Sequence, residues 1–240
     1  MPISDRTIPA TAVQALERLG RLTLSEHSME TLLQSVTDLA ASVMPGDTEV
    51  AVTLLVNHKP TTTAYTGQRA LDCDESQYGH GYGPCLHAAT TGEVVVIDDA
   101  RTERRWAAYS RQAAERGALS SLSTPLIIGE PLSGALNMYG REANAFDAST
   151  RSIAARFAPY AAVAVANMSA YQSARRMADN LEVALASRAV IDQAKGILME
   201  RLKVTAVQAF ELLAKVSMRS NTKLRDVAEE LVETGKFPHR

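Results

Sequence analysis

Five basic side chains near the C-terminal end of the chain fall outside the apolar positions of the helices predicted there; they are Arg188, Lys195, Arg219, Lys223 and Arg225. Lysine and arginine neutralise phosphates, and arginine also stacks on a base or binds its edge with two parallel hydrogen bonds. Residues 181–240 contain 10 Lys and Arg and 8 Asp and Glu, whereas residues 1–180 contain 15 and 19. This distribution indicates a local basic face for nucleic acid, with a solvated helix surface as the alternative.

The other reactive side chains match no pattern of catalysis or metal binding. The sequence contains no G-x-S-x-G, no P-loop, no H-E-x-x-H and no strand-linked G-x-G-x-x-G segment. His80, Cys85 and His87 do not follow a zinc-ligand spacing, and Cys73 is not part of a CxxC pair. We therefore predict no enzyme and no metal site, with a redox pairing of Cys73 and Cys85 as a weaker alternative.

Composition indicates a globular protein of one large domain or two small ones. Apolar residues make up 46% of the 240 residues, and the formal net charge of -2 argues against a basic coat over the whole surface. The two cysteines form no disulfide framework, and the N-terminal residues lack the pattern of a signal peptide. Since no run approaches about 18 apolar residues, we expect no membrane span and a cytoplasmic location.

The elements that position these residues begin with two helices between Pro9 and Met44. Apolar residues over Val50–Val56 and β-branched residues over Thr61–Thr66 predict a hairpin, and the polar, Gly-rich segment 68–83 predicts a loop with at most a short helix. There follow a helix from Pro84, a strand at 94–97, a helix over 101–116 ended by Gly117, and hairpin strands at 119–128 and 132–139 joined by Gly129-Glu130-Pro131. This order predicts an α+β domain, an antiparallel sheet with helices on one side.

An alanine-rich helix is predicted from Asp147 to Ser187. Side chains recur along it at steps of three and four residues, the spacing of a coiled coil: Phe157, Tyr160, Ala164, Asn167, Tyr171, Ala174, Ala178, Leu181 and Leu185. Pro159 is expected to kink or interrupt the helix. We expect the part up to Ala164 to pack on the protein's own sheet and the part from Tyr171 to Leu185 to pair with a second copy.

Three helices are predicted from Leu181 onward. The first contains Gly196, which costs about 1 kcal/mol relative to alanine and therefore suggests close approach of another helix or a ligand, or a slight local break of the helix. A Thr205–Gln208 capping box opens the second helix, Ser220-Asn221-Thr222 ends it and caps the third, and Gly235 ends the third. The predicted core of these helices includes Ala194, Phe210 and Leu213.

Many positions at fixed spacing distinguish residues 181–235. They are Arg188, Ile191, Ala194-Lys195-Gly196, Leu198-Met199, Ala209-Phe210, Leu213, Ser217 and the Asn221-Lys223-Leu224-Arg225-Val227-Ala228 run. This set resembles the ANTAR family of RNA-binding antitermination modules. The resemblance implies an all-α three-helix domain that acts as a dimer and binds paired RNA hairpins competing with a transcription terminator. The RNA-binding candidates are then Arg188, Lys195, Gly196, Arg219, Lys223 and Arg225.

A second set of positions lies in residues 9–168. They are Gly83-Pro84-Cys85, Val95-Val96-Ile97-Asp98, Arg105-Trp106, Gly117, Ser123-Thr124-Pro125-Leu126, Gly134 to Tyr139, and Ala145-Phe146-Asp147. They resemble a GAF sensor domain, which implies an antiparallel sheet of five or six strands flanked by helices, with a pocket for a nucleotide, a tetrapyrrole or another small molecule. The candidate ligand-binding residues are Tyr82, Cys85, Asp98 and Trp106. The alternative is that Asp98 caps a turn, Trp106 belongs to the core and Cys85 is an inert buried thiol.

Together these patterns predict a GAF-like sensor domain at 9–168, a helical coiled-coil connector at 169–187 and an ANTAR domain at 181–240. The predicted protein is a homodimeric regulator that binds RNA hairpins and prevents transcription termination, gated by a signal that the GAF domain senses. The sequence identifies no cofactor. The alternatives are a DNA-binding transcription factor, a sensing or interaction protein without RNA binding, and a GAF-type reductase.

Overall fold

The computed structural model describes residues 10–20, 26–129 and 132–237. The chain divides into two compact units, Met1–Tyr171 and Gln172–Arg240. The predicted domain limits at Pro9 and Arg240, and the Glu130-Pro131 part of the predicted turn, lie outside the described residues. Over the described ranges, no helix is both long enough and apolar enough to cross a membrane.

Five antiparallel strands form the sheet of the first unit, in the order β2-β1-β5-β4-β3. Their bounds are β1 (Glu49–Val56), β2 (Lys59–Tyr65), β3 (Val95–Ile97), β4 (Ser120–Gly129) and β5 (Leu132–Gly140). The predicted hairpin of β1 and β2 is confirmed. Its turn residues Asn57 and His58 have φ values of 51° and 63°, the left-handed backbone that a two-residue turn between twisted strands requires.

Helices cover both faces of this sheet. They are α1 (Ala10–Gly20), α2 (Met29–Ala41), α3 (Gln68–His80), α4 (Pro84–Thr91), α5 (Ala107–Glu115) and the first part of α6 (Ala148–Leu202). Val52 of β1 packs with Leu33 and Phe157 in one core cluster, whereas the neighbouring Ala51 and Leu55 pack in clusters built with α3, α4 and α5. The expectation of helices on one side is therefore wrong, because consecutive apolar residues of β1 face two helical layers.

The segment 68–83 is mostly helical, contrary to the loop predicted from its polar composition. Helix α3 is followed by Gly81, whose φ of 70° is the left-handed conformation that glycine adopts just past a helix end. Ala70, Cys73, Asp74 and Gln77 are buried at helical spacing. Because two of these four are polar, the buried face carries no hydrophobic pattern. In the same layer the helix predicted over 101–116 is shorter and begins only at Ala107.

Helix α6 runs through Pro159 without the predicted interruption. Phe157, Ala158, Ala161 and Ala162 around the proline are buried, so packing on the sheet offsets the missing helical hydrogen bond. Ala164 packs against the same core, as expected for this part of the helix. Tyr160 does not and is exposed.

The second unit contains the rest of α6 together with α7 (Ala206–Ser220) and α8 (Leu224–Thr234). The predicted capping box is confirmed: Thr205 Oγ1 accepts from the Gln208 amide at 3.3 Å, and Gln208 Oε1 accepts from the Thr205 amide at 2.9 Å. Asn221 ends α7 with a φ of 53°. Lys223, rather than the predicted Thr222, precedes α8, and it provides no side-chain cap.

The core of the second unit is small and apolar; it contains Ala194, Leu198, Ala209, Leu213, Val227, Ala228 and Leu231. The predictions for Ala194 and Leu213 are confirmed. Phe210 was predicted in the core as well and is 44% exposed. Ala209, Leu213 and Val216 lie on the inner side of α7, and Phe210 lies at the flank of that stripe.

Candidate functional site

The basic residues of α6 are linked through one carboxylate. Lys195 Nζ donates a 2.7 Å hydrogen bond to Asp192 Oδ1, and Arg188 Nε lies 3.8 Å from Asp192 Oδ2. The hydrogen bond from Lys195 lowers the pKa of Asp192, so the carboxylate is ionised at neutral pH. Arg188 and Asp192 are well exposed and Lys195 is half-buried. This face of α6 therefore presents both positive and negative charge to solvent.

The other three basic candidates lie at the junction of α7 and α8. Arg225 Nε is 3.2 Å from Glu229 Oε1 and 3.7 Å from Asp226 Oδ1. Arg219 and Lys223 are exposed, and neither forms an ion pair within the described residues. They are thus available to an external anion without first breaking an internal contact.

Gly196 faces open space rather than a neighbouring helix. A Cβ added at this position meets no atom within 4 Å. The glycine lines an open groove of about 630 Å³ with Gln193, Ile197, Glu200, Arg201 and Val232. Close packing inside the described part of the chain therefore does not explain a glycine here.

The connector part of α6 carries exposed apolar side chains. Leu181 and Leu185 of the predicted stripe are 58% and 59% exposed, and Met177, which lies outside the stripe, is exposed as well. Val183, on the opposite side of the helix, is 55% exposed. The stripe is thus free in the single chain to pair with another helix.

A buried polar cluster connects α3 and α4 to the sheet of the first unit. At its centre, Asp74 accepts hydrogen bonds from the Tyr139 hydroxyl at 2.5 Å and from Asn137 Nδ2 at 3.0 Å through Oδ1. Its Oδ2 accepts from Thr53 at 2.9 Å and from Thr62 at 3.3 Å. All the groups that bond this carboxylate are neutral.

Burial dominates the electrostatics of this cluster. It raises the pKa of Asp74 to about 6, and the neutral donors that bond the carboxylate offset only part of the effect. Burial and the nearby Asp74 raise the pKa of Cys73 to about 12 and hold that of Cys85 well above its usual range. Asn137 Oδ1 is buried without a hydrogen-bond partner in the described structure. The cluster is therefore a polar site in an apolar core, with two poorly ionisable thiols beside it.

A sequence model of the GAF domain family matches residues 26–166, which is more than half of the chain. The chain belongs to the GAF family. A model of the ANTAR domain matches residues 179–232, so a GAF domain is followed by an ANTAR domain, as the sequence predicted. No curated protein shows a significant match to the sequence.

Solved structures share the fold of the GAF domain. The GAF domain of an Acinetobacter phosphoenolpyruvate-protein phosphotransferase aligns over 67% of this chain and 93% of its own, with 17% identity and a TM-score of 0.51. A phycoerythrobilin-bound GAF domain of a cyanobacterial phytochrome aligns over 69% and 100%, with 12% identity and a TM-score of 0.53. Free methionine-R-sulfoxide reductase of Neisseria meningitidis aligns over 66% and 89%, with 14% identity and a TM-score of 0.50. At these identities the likeness establishes fold alone.

The four ligand candidates of the GAF domain do not form one cluster. Cys85 is buried, and Trp106 packs against the cluster that contains it. Tyr82 is exposed, with its ring centroid 5.9 Å from that of His80, and Asp98 pairs with Arg151 at 2.6 Å. Two cavities of the domain, of about 330 and 300 Å³, are lined by other residues. A role of Tyr82, Cys85, Asp98 and Trp106 in ligand binding stays a prediction.

Sequence reasoning missed the central residues of the buried cluster, Thr53, Asp74, Asn137 and Tyr139. A signal was present for two of them. Thr53 interrupts the apolar run of β1, and Asn137 interrupts the apolar run of β5. A polar residue inside a strand that is apolar on both faces must find its partners in the core, so it indicates a buried network.

Proposed function

We propose that this GAF–ANTAR protein is a homodimeric RNA-binding regulator that binds paired RNA hairpins and prevents transcription termination. The observation that carries the proposal is the ANTAR match over residues 179–232, together with cationic side chains on the surface of all three of its helices. Hairpin loops combine unstacked bases with closely spaced phosphates, and a small basic surface suits them better than a long basic stripe. Because the target is a transcript, we place the protein in the cytoplasm.

The basic candidates divide into two groups by their internal contacts. Arg219 and Lys223, which have no ion pair in the described structure, are suited to bind phosphates. Arg188, Lys195 and Arg225 are each tied to a carboxylate of their own helix, which orients the cation for a base or a phosphate. Gly196 allows the RNA backbone to approach α6 closely, since nothing of the described chain occupies that space.

Dimerisation would place two such surfaces side by side. The exposed Leu181 and Leu185 of the predicted stripe support pairing of the two connector helices. Two linked hairpins held by two ANTAR domains bind more tightly than either alone, because the second contact forms at a high effective concentration.

We propose that a ligand of the GAF domain alters the pairing of the connector helices and so gates RNA binding. Sedimentation and RNA affinity, with and without cell extract, test this, and a dimer that binds RNA equally in both conditions refutes the gate.

We further propose that the protein is not an enzyme, although reductases share its fold. A catalytic cysteine needs a thiolate, which an exposed, electropositive site favours. Cys73 and Cys85 are fully buried, and burial raises the pKa of both thiols. An assay of the purified protein for methionine sulfoxide reduction tests this directly, and turnover that is lost in Cys85→Ser contradicts it.

Crosslinking the protein to cellular RNA and sequencing the bound fragments tests the main proposal. We expect paired hairpins that overlap terminators. Gel shifts with a recovered RNA, competed by the same hairpins or by duplex DNA, then separate an RNA regulator from a DNA-binding factor. Competition by DNA alone, or no RNA above the level captured by an ANTAR-deleted chain, overturns the proposal.

A further inference from the structure

A negatively charged side chain lies among the basic residues of α6. A carboxylate at this position does not increase the affinity of the surface for phosphates. Asp192 follows Arg188 by one helical turn and precedes Lys195 by nearly one, and its side chain is 52% exposed. Its carboxylate repels the phosphates that the two cations attract. Its presence therefore needs a reason other than phosphate binding.

Helix stability provides only a weak reason. Asp192 lies in the interior of α6, away from the helix ends where a carboxylate interacts with the dipole. An exposed pair spaced by three or four residues adds little to the stability of a helix. Glu200 of α6 forms a similar pair at 2.8 Å with Lys203, the residue that follows the helix, so α6 has another ion pair of this kind at its end.

The Asp192–Lys195 pair has unused hydrogen-bonding capacity on both partners. Oδ2 of Asp192 accepts no hydrogen bond in the described structure, because its distance of 3.8 Å to Arg188 Nε exceeds hydrogen-bonding range. The Lys195 ammonium has three donors, of which one is used. A phosphate, which carries only acceptors, can use the lysine alone, whereas the edge of a base presents donors and acceptors side by side.

We propose that Asp192 accepts a hydrogen bond from the exocyclic amino group of an unstacked base in the hairpin loop, while Lys195 donates to the neighbouring ring nitrogen or carbonyl oxygen of that base. This inference rests on the proposed RNA binding and adds a specificity residue to it. Adenine, cytosine and guanine carry such an amino group and uracil does not. The loop position that faces Asp192 therefore rejects uracil, while Arg219 and Lys223 hold the backbone regardless of sequence.

The test is a functional-group cycle with the full-length protein. Paired hairpins with randomised loops are selected for binding, and each loop base of a selected RNA is replaced by its analogue without the amino group: purine for adenine, inosine for guanine, pyrimidin-2-one for cytosine. At one position we expect the deletion to weaken binding to the wild type by about tenfold, the size of a hydrogen bond to a charged group. The Asp192→Ala variant should bind the intact RNA about tenfold more weakly than the wild type does. Its affinity should not fall further when the amino group of that base is removed.

Two variants make the outcome specific. Asp192→Asn keeps an acceptor and should retain part of the preference for the amino group. Glu211→Ala removes an exposed carboxylate of α7 outside the predicted RNA surface and should leave that preference unchanged. If the wild type selects no hairpin, RNA binding itself fails and the inference with it. A second outcome is that hairpins are selected but removal of the amino group lowers the RNA affinity of Asp192→Ala as much as that of the wild type. A third is that the variant binds the selected RNA more tightly than the wild type does. In both cases RNA binding stands and Asp192 does not read a base.

Discussion

The hydroxyl of Tyr139 on β5 donates a 2.5 Å hydrogen bond to the carboxyl group of Asp74 on α3. This buried bond joins β5 to α3, two elements whose contact is not predicted by the spacing of apolar residues in the sequence. Asp74 is fully buried, and neutral groups alone hydrogen-bond its carboxyl. The folded state therefore binds the proton of Asp74 more tightly than the unfolded chain does.

Asp74 should make the GAF domain less stable as the pH rises. Its pKa is raised to about 6 from 3.8, so its protonated form is favoured on folding; this stabilisation is complete below about pH 4 and is lost as the pH rises through 6. At pH 8 the ionised carboxyl costs about 3 kcal/mol, converted from that shift. Asp74→Asn should remove this pH dependence and be the more stable protein at pH 8, since the amide can donate to Thr53 and Thr62.

Trp106 provides the measurement, because it is the single tryptophan of the chain and packs in the GAF core. Its fluorescence during denaturant unfolding at pH 4 to 8 gives the free energy of unfolding of the wild type and the variant. Glu75→Gln, an exposed change on the same helix, is the control and should leave the pH dependence intact. The raised pKa of Asp74 is contradicted if the free energy of unfolding of the wild type, relative to that of Asp74→Asn, does not fall between pH 5 and pH 7.

The sequence predicted those parts of the fold in which buried residues are also apolar. The hairpin of β1 and β2 and the capping box at Thr205 follow from local chemistry that needs no tertiary context. Helix α3 was missed because it buries Asp74 and Gln77, whose partners lie on distant strands. Phe210 was misplaced because a contiguous apolar run in α7 is wider than the inner face of that helix. At the RNA surface, the candidate cations were identified by type, but Asp192, which joins two of them, has no signature in sequence.

Gly196→Ala should separate the stability of α6 from its function. The glycine is in the helix and an added Cβ meets nothing within 4 Å, so alanine should stabilise the ANTAR domain by about 1 kcal/mol. If RNA approaches α6 at this point, the same methyl group should weaken hairpin binding. Thermal unfolding followed by circular dichroism, together with gel shifts, measures both. A variant that is more stable and binds RNA as well as the wild type shows that the RNA does not approach there.

Leu181→Glu should break the proposed connector pairing. Leu181 is exposed in the single chain, and a charge placed in a seam between two apolar helices is costly to bury. We expect a shift from dimer to monomer in sedimentation equilibrium and a loss of the tighter binding of paired hairpins, so that they bind no better than a single hairpin. Val183→Glu is the matched control, since Val183 is similarly exposed but lies off the stripe. Equal effects of the two changes, or a dimer that survives Leu181→Glu, would place the interface elsewhere.

Lys195→Ala should abolish hairpin binding while helix content and dimerisation stay intact. The ammonium is half-buried and held by Asp192, so its direction is fixed before RNA arrives and little side-chain entropy is lost on binding. Removing it loses one charged hydrogen bond and leaves Asp192 unpaired against the RNA, for a combined loss of about a hundredfold. Gel shifts measure the affinity, and circular dichroism and sedimentation verify the fold. Lys215→Ala, which removes an exposed cation from α7 outside the predicted surface, should change affinity only slightly; an equal loss in both variants would mean that Lys195 acts through net charge alone.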